Sequence, residues 1–376
     1  MINKISFKNY KSFKDRQELD LLPMTVFIGK NSAGKSAVMK LTTLIEDSLK
    51  GKTDAPLKWT GYENSVELGA EFEDLIYGRS RTGKLELEMS DGARKLEVII
   101  GSEKEAPKVF SWKYNEVEKL GFDNLFKGFT LETEDKSLYI DPLFLNTDYI
   151  GPFRMTPLRE FSELNLNATV QKIGYTGQDA YTVLLQDGLT TSHPLLNKVS
   201  EWYQANFEDW GVQINKDFAP FYQVEIIREH GVMRINLKDV GQGMSQALPL
   251  VVKAFMENDT PELIPIEQPE LHLHPAAHGS LGELFVQSLE NKLKSYLIET
   301  HSQNFVLRLR RLIAEKKYTW FTKDSLALYF IDFDEKKNTS TLRRININEK
   351  GEVDYWPGTI FSETLDETIA LRDAQS

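Results

Sequence analysis

The stretch GKNSAGKS at residues 29–36 follows the apolar run LLPMTVFI and precedes VMKLTTLIEDSL. It satisfies the pattern G-x-x-x-x-G-K-[ST], with a strand expected before it and a helix after it. Glycines let such a loop arch so that successive backbone N–H groups point inward, and the helix that begins there adds the positive end of its dipole. The stretch therefore predicts a phosphate-binding loop (P-loop).

Each position of this loop has an expected part in holding a nucleoside triphosphate. Lys35 is expected to reach the β and γ phosphates, and Ser36 is expected to ligate Mg²⁺. The remaining contacts are expected from the loop positions Gly29, Lys30, Asn31, Ser32, Ala33, Gly34 and Ala37. The ligands that this loop predicts are a nucleoside triphosphate and Mg²⁺, and a P-loop alone leaves kinases, GTPases, helicases and transporters open.

Composition narrows the class of protein. The 376 residues include 45 Lys and Arg against 56 Asp and Glu, a formal net charge of −11, so the chain as a whole repels nucleic acid and any contact with it must be local. There is no cysteine, which excludes disulfides, thiolate metal sites and cysteine nucleophiles. No apolar run is long enough to cross a bilayer and the N-terminus lacks the apolar core of a secretion signal, so we expect a cytoplasmic protein without membrane contact.

The hydrophobic pattern predicts an α/β fold. Short alternating pieces between Val66 and Trp112 predict an antiparallel sheet, and the apolar runs PELIPIE and KSYLIET predict buried parallel strands on either side of a helix. The regions expected are an N-terminal lobe with P-loop and antiparallel β-subdomain (1–115), a mixed, partly helical insertion (116–235), a C-terminal lobe (236–323) and a β-hairpin and helix extension (324–376).

Two strand ends in the second half of the chain carry polar residues. In IEQPELHLHP (266–275) an apolar strand ends at Glu267, whose carboxylate is placed to hold the hydration shell of Mg²⁺. In IETHSQNF (298–305) another apolar strand delivers His301 to the edge where open α/β sheets bind ligands. Both residues are therefore candidates for the catalytic side of the site.

The segment DVGQGMSQALP (239–249) has Gly241, Gly243 and Ser245 at the start of an apolar helix. This pattern predicts a second anion cradle at a helix N-terminus. One compact domain rarely needs two cradles for one nucleotide. The arrangement makes sense if the second cradle serves a neighbouring molecule.

Together these stretches resemble known ATPases. The segment NYKSFKD, the P-loop, the glycine-serine segment, the run E-x-P-E-x-H-L-H-P and the ETHS stretch resemble ABC-type ATPase heads of the SMC, RecF and OLD group. More narrowly, LGAEFEDLIYG, YIGPFR, DVGQGMSQALP and YWPGTIF resemble a bacterial family of small AAA-type ATPases with a C-terminal domain of unknown function, over essentially the whole chain. The resemblance implies an ABC/SMC-like head with a central parallel sheet and a compact, mainly helical insertion.

The resemblance also implies a mechanism. Heads of this group dimerise head to tail and sandwich two ATP molecules, each between one subunit's P-loop and the other's signature segment, here residues 239–249. Gly243 and Ser245 then form the signature contact in trans, Glu267 is the acidic strand end, and His301 is the switch. The expected assembly is thus a homodimer or a higher oligomer, whose nucleotide state controls a partner encoded alongside, a nuclease or a toxin. Similarity to ATPase subunits of anti-phage systems such as Septu points to a role in phage defence.

One position departs from the wider ABC pattern. Gln268 stands where those ATPases carry a glutamate that orients the attacking water, and a glutamine positions water but accepts no proton. Hydrolysis should therefore be slow unless Glu270 substitutes, which suits a switch better than a pump. Arg154 either senses the γ-phosphate or makes a structural salt bridge, and Tyr10 and Phe13 either touch the nucleoside or lie buried.

Three alternatives remain at this stage. A RecF-like clamp for repair or recombination would bind duplex DNA, but the basic run RLRRLIAEKK splits its charges between two helix faces, which favours a solvated surface. A transporter's nucleotide-binding subunit disagrees with the atypical signature segment and the NYKSF opening. A self-contained OLD-type nuclease requires more residues after His301 than the chain has.

Overall fold

The computed structural model describes residues 1–51, 56–57, 66–103, 106–120, 126–131, 143–162, 169–228, 232–358, 361 and 363–375. The chain divides into two compact units. The P-loop unit comprises Ile2–Trp59, Leu68–Leu143 and Arg310–Ser376, and the central unit consists mainly of Phe144–Leu309.

The P-loop unit contains the predicted antiparallel sheet, which has six strands in the order β2-β1-β4-β5-β6-β7. Buried and part-exposed residues alternate along β4, as expected for a sheet with one face on a core. The strands are β1 (Lys4–Lys8), β2 (Gln17–Asp20), β4 (Lys84–Ser90), β5 (Lys95–Glu103), β6 (Ala106–Tyr114) and β7 (Val117–Leu120). A short hairpin in the same unit is formed by β8 (Phe126–Lys127) and β9 (Thr130–Leu131).

The P-loop unit has three further strands, and the first of them, β3, leads directly into the P-loop. All six residues of β3 are buried, as expected for a parallel strand covered on both faces. β16 runs parallel to β3 with Ile331 opposite Gly29, and β17 returns antiparallel to β16, so the predicted hairpin is confirmed. The elements are β3 (Met24–Gly29), α1 (Lys35–Leu49), β16 (Leu326–Asp334), β17 (Thr339–Ile345) and the closing helix α7 (Glu363–Gln375).

The central unit contains the pair of parallel strands predicted from PELIPIE and KSYLIET. β14 and β15 pair in parallel and end together, with Glu267 opposite Glu299. Along β14 lies an extended segment that pairs through Thr147 and Ile150. The elements of this motif are α4 (Gln242–Phe255), β14 (Glu262–Glu267), α5 (Pro275–Ser288), β15 (Lys294–Glu299) and α6 (Gln303–Glu315), whose last residues belong to the P-loop unit.

The same unit holds two helices, which lie in the segment predicted to be partly helical, and an antiparallel sheet. The sheet has the order β10-β12-β11, and β13 also pairs with β12. The elements are β10 (Phe161–Ser162), α2 (Asp179–Gly188), α3 (Pro194–Asn206), β11 (Gly211–Asn215), β12 (Phe221–Arg228) and β13 (Met233–Asn236). Among the described residues, no helix is both long and apolar enough to span a membrane.

Buried charges fix the C-terminal end of α4. Lys253, 1% exposed, lies between the carboxylates of Asp148 at 2.6 Å and Glu262 at 2.8 Å. The ammonium of Lys294 donates to the last carbonyls of the helix, which are the groups without a partner inside a helix. These bonds tie the end of α4 to the start of β14 and β15, so its N-terminal turn has a defined place in the central unit.

Candidate nucleotide-binding site

The P-loop forms a tight arch between β3 and α1. Gly29 has φ 155° and Gly34 has φ 106°, a region that favours glycine. A Cβ at Gly29 would lie 2.2 Å from the carbonyl oxygen of Ile331, and one at Gly34 would lie 2.9 Å from the ring of Phe13. Both glycines of the motif are thus required by backbone conformation and by close neighbours.

Lys35 lies inside this arch. It is 3% exposed, and its Nζ donates to the carbonyls of Gly29 at 3.0 Å and Lys30 at 2.7 Å. Its neighbour Ser36 is half-buried in the first turn of α1. The ammonium therefore occupies the position from which it can meet phosphate oxygens, while carbonyls hold it there.

The aromatic residues of the NYKSF segment lie behind the loop. Tyr10 and Phe13 are fully buried, and the hydroxyl of Tyr10 donates to the carbonyl of Ala37 at 3.0 Å. Of the two hypotheses for these residues, the structure supports the buried one. They support the P-loop and the start of α1 from the core and are not presented to a nucleoside.

In the central unit, the carboxylate at the end of β14 has a fixed direction. Glu267 is 7% exposed and accepts a hydrogen bond from the hydroxyl of Tyr149 at 2.8 Å. Burial, followed by the nearby Glu267, raises the pKa of Tyr149 well above its usual value, so the phenol stays a donor. Gln268 follows with φ 43°, and its N–H donates to the carbonyl of Glu299 at 2.8 Å.

Arg154 holds this strand end from the side. It is 5% exposed, and its Nη2 donates to the carbonyls of Glu267 at 2.9 Å and Gln268 at 3.1 Å. Its Nε and Nη1 have no hydrogen-bond partner among the residues that the structure describes. Burial lowers the pKa of Arg154 to about 10, which leaves the guanidinium charged at neutral pH. Two buried donors of a cation therefore remain available to an anion.

Glu270 also has an unsatisfied atom. It is 9% exposed, and its Oε1 accepts the backbone N–H of His301 at 2.6 Å. Its Oε2 has no hydrogen-bond partner within the described part of the chain, and burial raises the pKa of the carboxyl above its usual value. The imidazole of His301 is one-third exposed beyond the end of β15, with Nε2 3.9 Å from Oε1 of Glu299. We call Arg154, Glu267, Gln268, Glu270 and His301 the strand-end cluster.

The signature segment enters α4. Gly243 lies against the loop after β14, because a Cβ there would be 2.8 Å from the carbonyl oxygen of His272. Ser245 is buried, and its hydroxyl donates to the carbonyl of Gln242 at 3.2 Å. Gly241, the residue before the helix, is exposed, and a Cβ there would meet nothing within 4 Å. The accessible end of this helix is therefore at Gly241.

Two residues that the sequence did not single out hold members of the strand-end cluster in place: Gln246 binds Arg154, and Tyr149 binds Glu267. Gln246 accepts the backbone N–H of Arg154 through Oε1 and donates to its carbonyl through Nε2, both at 3.1 Å. Tyr149 orients Glu267, as described above. A polar residue near the start of an apolar helix was the available signal for Gln246, and the position of Tyr149 within YIGPFR was the signal for the tyrosine.

The oxygen donors fit the expected cation. The hydroxyl of Ser36 and the carboxylate of Glu267 are hard ligands, and Mg²⁺ commonly takes only one or two such groups because it keeps waters and phosphate oxygens. Among the described residues, no group of three or more His, Asp or Glu could hold a metal ion. The chemistry of each of these two donors, taken by itself, therefore fits Mg²⁺.

Comparisons with known proteins identify the family and the fold. A family model described as the AAA ATPase domain matches residues 1–183 and 185–306. No curated protein matches the chain. A crystal structure of an Smc head bound to the C-winged helix domain of ScpA is similar with a TM-score of 0.54 and 10% identity, over 93% of this chain and 98% of that chain.

A second solved structure is similar over nearly its whole length. It is an Smc head domain from Pyrococcus furiosus with an extended coiled coil, bound to the C-terminal domain of ScpA. Its TM-score is 0.52 at 10% identity, over 99% of each chain. Likeness at this identity concerns the fold, and it confirms the predicted α/β fold of the ABC/SMC-like head type.

Proposed function

This chain belongs to the AAA ATPase domain family, and from that premise we propose that it binds ATP in its P-loop and hydrolyses it slowly within a head-to-tail dimer. The observation that carries the proposal is the arch between β3 and α1, with the ammonium of Lys35 buried inside it. The backbone of Gly29–Ala37 surrounds the phosphates and Lys35 contacts the β and γ phosphates. Ser36 and Glu267 hold Mg²⁺, which neutralises phosphate charge when it is bound.

The strand-end cluster performs the hydrolytic part of this proposal. Gln268 orients the water that attacks the γ-phosphorus, and the bond from that phosphorus to the bridging oxygen of ADP breaks. Glu270, when it is ionised, takes the proton of the water, because Gln268 accepts none. His301 contacts the γ-phosphate as the switch. The unpaired Nε and Nη1 of Arg154 support an anion-binding role for this cluster.

The second copy completes the site in the proposal. The first turn of its α4, with Gly243 and Ser245, lies on the phosphates bound by the first copy, and the exposed N-terminus at Gly241 supports this placement. Binding of ATP then joins two copies, and hydrolysis separates them. Because Gln268 makes turnover slow, the joined state lasts long enough to act as a signal.

We infer that this signal controls a co-encoded effector, a nuclease or a toxin, in cytoplasmic anti-phage defence. The similarity to ATPase subunits of anti-phage systems, and a nucleotide site without a recognisable effector beside it in the sequence, support this part of the proposal. A DNA gel shift addresses the RecF-like alternative. ATP-dependent binding of duplex DNA that weakens steeply with salt would favour that alternative over effector control.

The dimer is tested by measuring molecular mass with light scattering, with and without ATP and Mg²⁺. We expect the mass to double with ATP and to stay that of one chain when Lys35 is changed to Ala. A second readout is protection from proteolysis near Gly241, which should follow the change in mass. A mass that does not depend on nucleotide, in a protein shown to bind ATP, would contradict the dimer and leave the P-loop assignment intact.

A further inference from the structure

We infer that Ser340, in the C-terminal hairpin, is a positioning residue for the P-loop and sets the affinity for nucleoside polyphosphates; this inference rests on the proposed function. Ser340 lies in β17 and is fully buried. The matched family region ends at residue 306, so this serine lies outside it. The nucleotide site is therefore proposed to depend on a part of the chain beyond the recognised domain.

The contact between the hairpin and the loop is direct. The hydroxyl of Ser340 lies 2.7 Å from the carbonyl oxygen of Ala33, at the top of the P-loop, and 2.8 Å from the hydroxyl of Ser12. A serine hydroxyl carries one proton, and the carbonyl can only accept, so Ser340 donates to Ala33 and accepts from Ser12. Because Ser340 is fully buried, water cannot replace either hydrogen bond, so losing one of them is costly.

The direction of the Ala33 carbonyl matters for phosphate binding. A trans peptide is planar, so the carbonyl of Ala33 and the N–H of Gly34 point in opposite directions. Holding the carbonyl on Ser340 turns the N–H of Gly34 away from the hairpin. In a P-loop, successive N–H groups must converge on the phosphates, so one rotated peptide removes a donor from the cradle. Ser340 thereby selects the orientation that binds.

The neighbours of Ser340 hold it in register with the loop. Its backbone N–H donates to the carbonyl of Ser12 at 2.8 Å, and the Thr339 hydroxyl donates to the same carbonyl at 3.1 Å. The backbone N–H of Lys14 donates to Thr339 at 3.0 Å. At the other end of the loop, β16 lies so close that a Cβ on Gly29 would strike it. The hairpin thus fixes both ends of the arch.

The test is the affinity for ATP and ADP of Ser340→Ala, measured by titration of the full chain. Ser325→Ala is the matched control, because Ser325 is also buried in the P-loop unit and its hydroxyl donates to a backbone carbonyl, that of Trp320. We expect Ser340→Ala to weaken both nucleotides about tenfold, as loss of a buried hydrogen bond predicts. Ser325→Ala should stay within about twofold of wild type.

Thermal melting without nucleotide separates folding from positioning. If both serine variants lose similar stability and only Ser340→Ala loses affinity, the inference stands. Equal affinities in the two variants overturn it. Should Ser340→Ala not fold, Ser340→Cys replaces it; its thiol is a weak donor, and the expected loss of affinity is about threefold, with none at all counting against the inference.

The variant Lys35→Ala separates a failure of the P-loop assignment from a failure of the role proposed for Ser340. If Lys35→Ala leaves ATP affinity unchanged, the P-loop assignment itself fails. If Lys35→Ala abolishes binding while Ser340→Ala binds like wild type, only the role of Ser340 is wrong. Each outcome therefore concerns one statement.

Discussion

The P-loop and the strand-end cluster satisfy their polar groups in opposite ways. In the P-loop, the ammonium of Lys35 is bonded to two carbonyls and the carbonyl of Ala33 to Ser340. In the strand-end cluster, Nε and Nη1 of Arg154 and Oε2 of Glu270 are buried without a partner among the described residues. The first group is a preformed cradle, whereas the second has capacity left for a ligand.

This difference has an energetic reading. A buried polar atom without a partner costs about 1–3 kcal/mol, so a fold keeps such atoms mainly where function uses them. The P-loop can be stable without nucleotide because its carbonyls accept from the ammonium of Lys35 and from the hydroxyl of Ser340. In the proposed function, phosphate and the attacking water remove this cost at the strand-end cluster. Changes in the P-loop should therefore act on binding, and changes in the cluster should act on turnover.

The largest expected effect is that of Lys35→Ala on binding. Loss of the buried ammonium should weaken ATP by about 100-fold or more, since bonds between charged partners are the strongest ones available. The control is Lys336→Ala, because Lys336 is an exposed lysine of the same unit, in the turn between β16 and β17, and has no part in the proposed site. Isothermal titration with ATP measures both. If both variants bind ATP with the same affinity, the buried ammonium of Lys35 makes no special contribution to nucleotide binding.

Arg154→Ala is expected to have the next largest effect, on turnover. The variant loses two bonds to the end of β14 and the free donors, so kcat should fall about 30-fold with KM changed less than about threefold. Arg159→Ala is the control from the same segment, since Arg159 is exposed and its guanidinium pairs with Asp239, outside the strand-end cluster. Steady-state hydrolysis with a melting curve for each variant decides the matter. A change in KM alone would mean that Arg154 acts on nucleotide binding, like the P-loop, and not on turnover.

The pair Gln268 and Glu270 should give smaller and opposite changes. Gln268→Glu supplies a proton acceptor at the usual position and should raise kcat about tenfold. Glu270→Gln removes the acceptor of the proposal and should lower kcat by about the same factor. Single-turnover hydrolysis separates this step from product release. If Glu270→Gln hydrolyses ATP at the wild-type rate, Glu270 has no part in proton transfer.

The weakest effect, but a specific one, concerns pH. Burial raises the pKa of Glu270 above 4.5, so the folded state keeps this proton to a higher pH than the unfolded state. Stability should fall as pH rises from 4.5 through the folded pKa, while hydrolysis rises over the same window because the base becomes ionised. Urea unfolding and kcat at a series of pH values check both slopes. Glu270→Gln should lack them, and identical slopes in the variant would contradict the assignment.

Local patterns made the P-loop and its flanking elements predictable. The strand before it, the two glycines and the helix after it lie in one continuous stretch, and periodicity also gave the buried strands that end at Glu267 and Glu299. Arg154 was recognisable only as a basic residue in YIGPFR. That its guanidinium would hold two carbonyls depends on the path of the segment beside β14, which no local pattern specifies.

The hydrogen bond from Ser340 to the P-loop was even harder to predict from the sequence. It is separated from Ala33 by 307 positions, and a serine in a strand has no feature that distinguishes a hydrogen bond to the P-loop from any other. The sequence also placed Tyr10 and Phe13 equally well at a nucleoside or in the core. The burial of both side chains decided between these two hypotheses. Long-range packing, and not local propensity, determined each of these outcomes.

The most direct test of the dimer is complementation between two inactive variants. Lys35→Ala lacks the cradle. Gly241→Glu puts a carboxylate at the exposed start of α4, where a Cβ meets nothing within 4 Å and folding should be preserved. Mixed one to one, the two variants should recover about a quarter of wild-type hydrolysis, because half of the dimers are mixed and each of these has one intact composite site. No recovery from two folded variants that bind each other, or full activity of Gly241→Glu alone, would contradict a site shared between two copies.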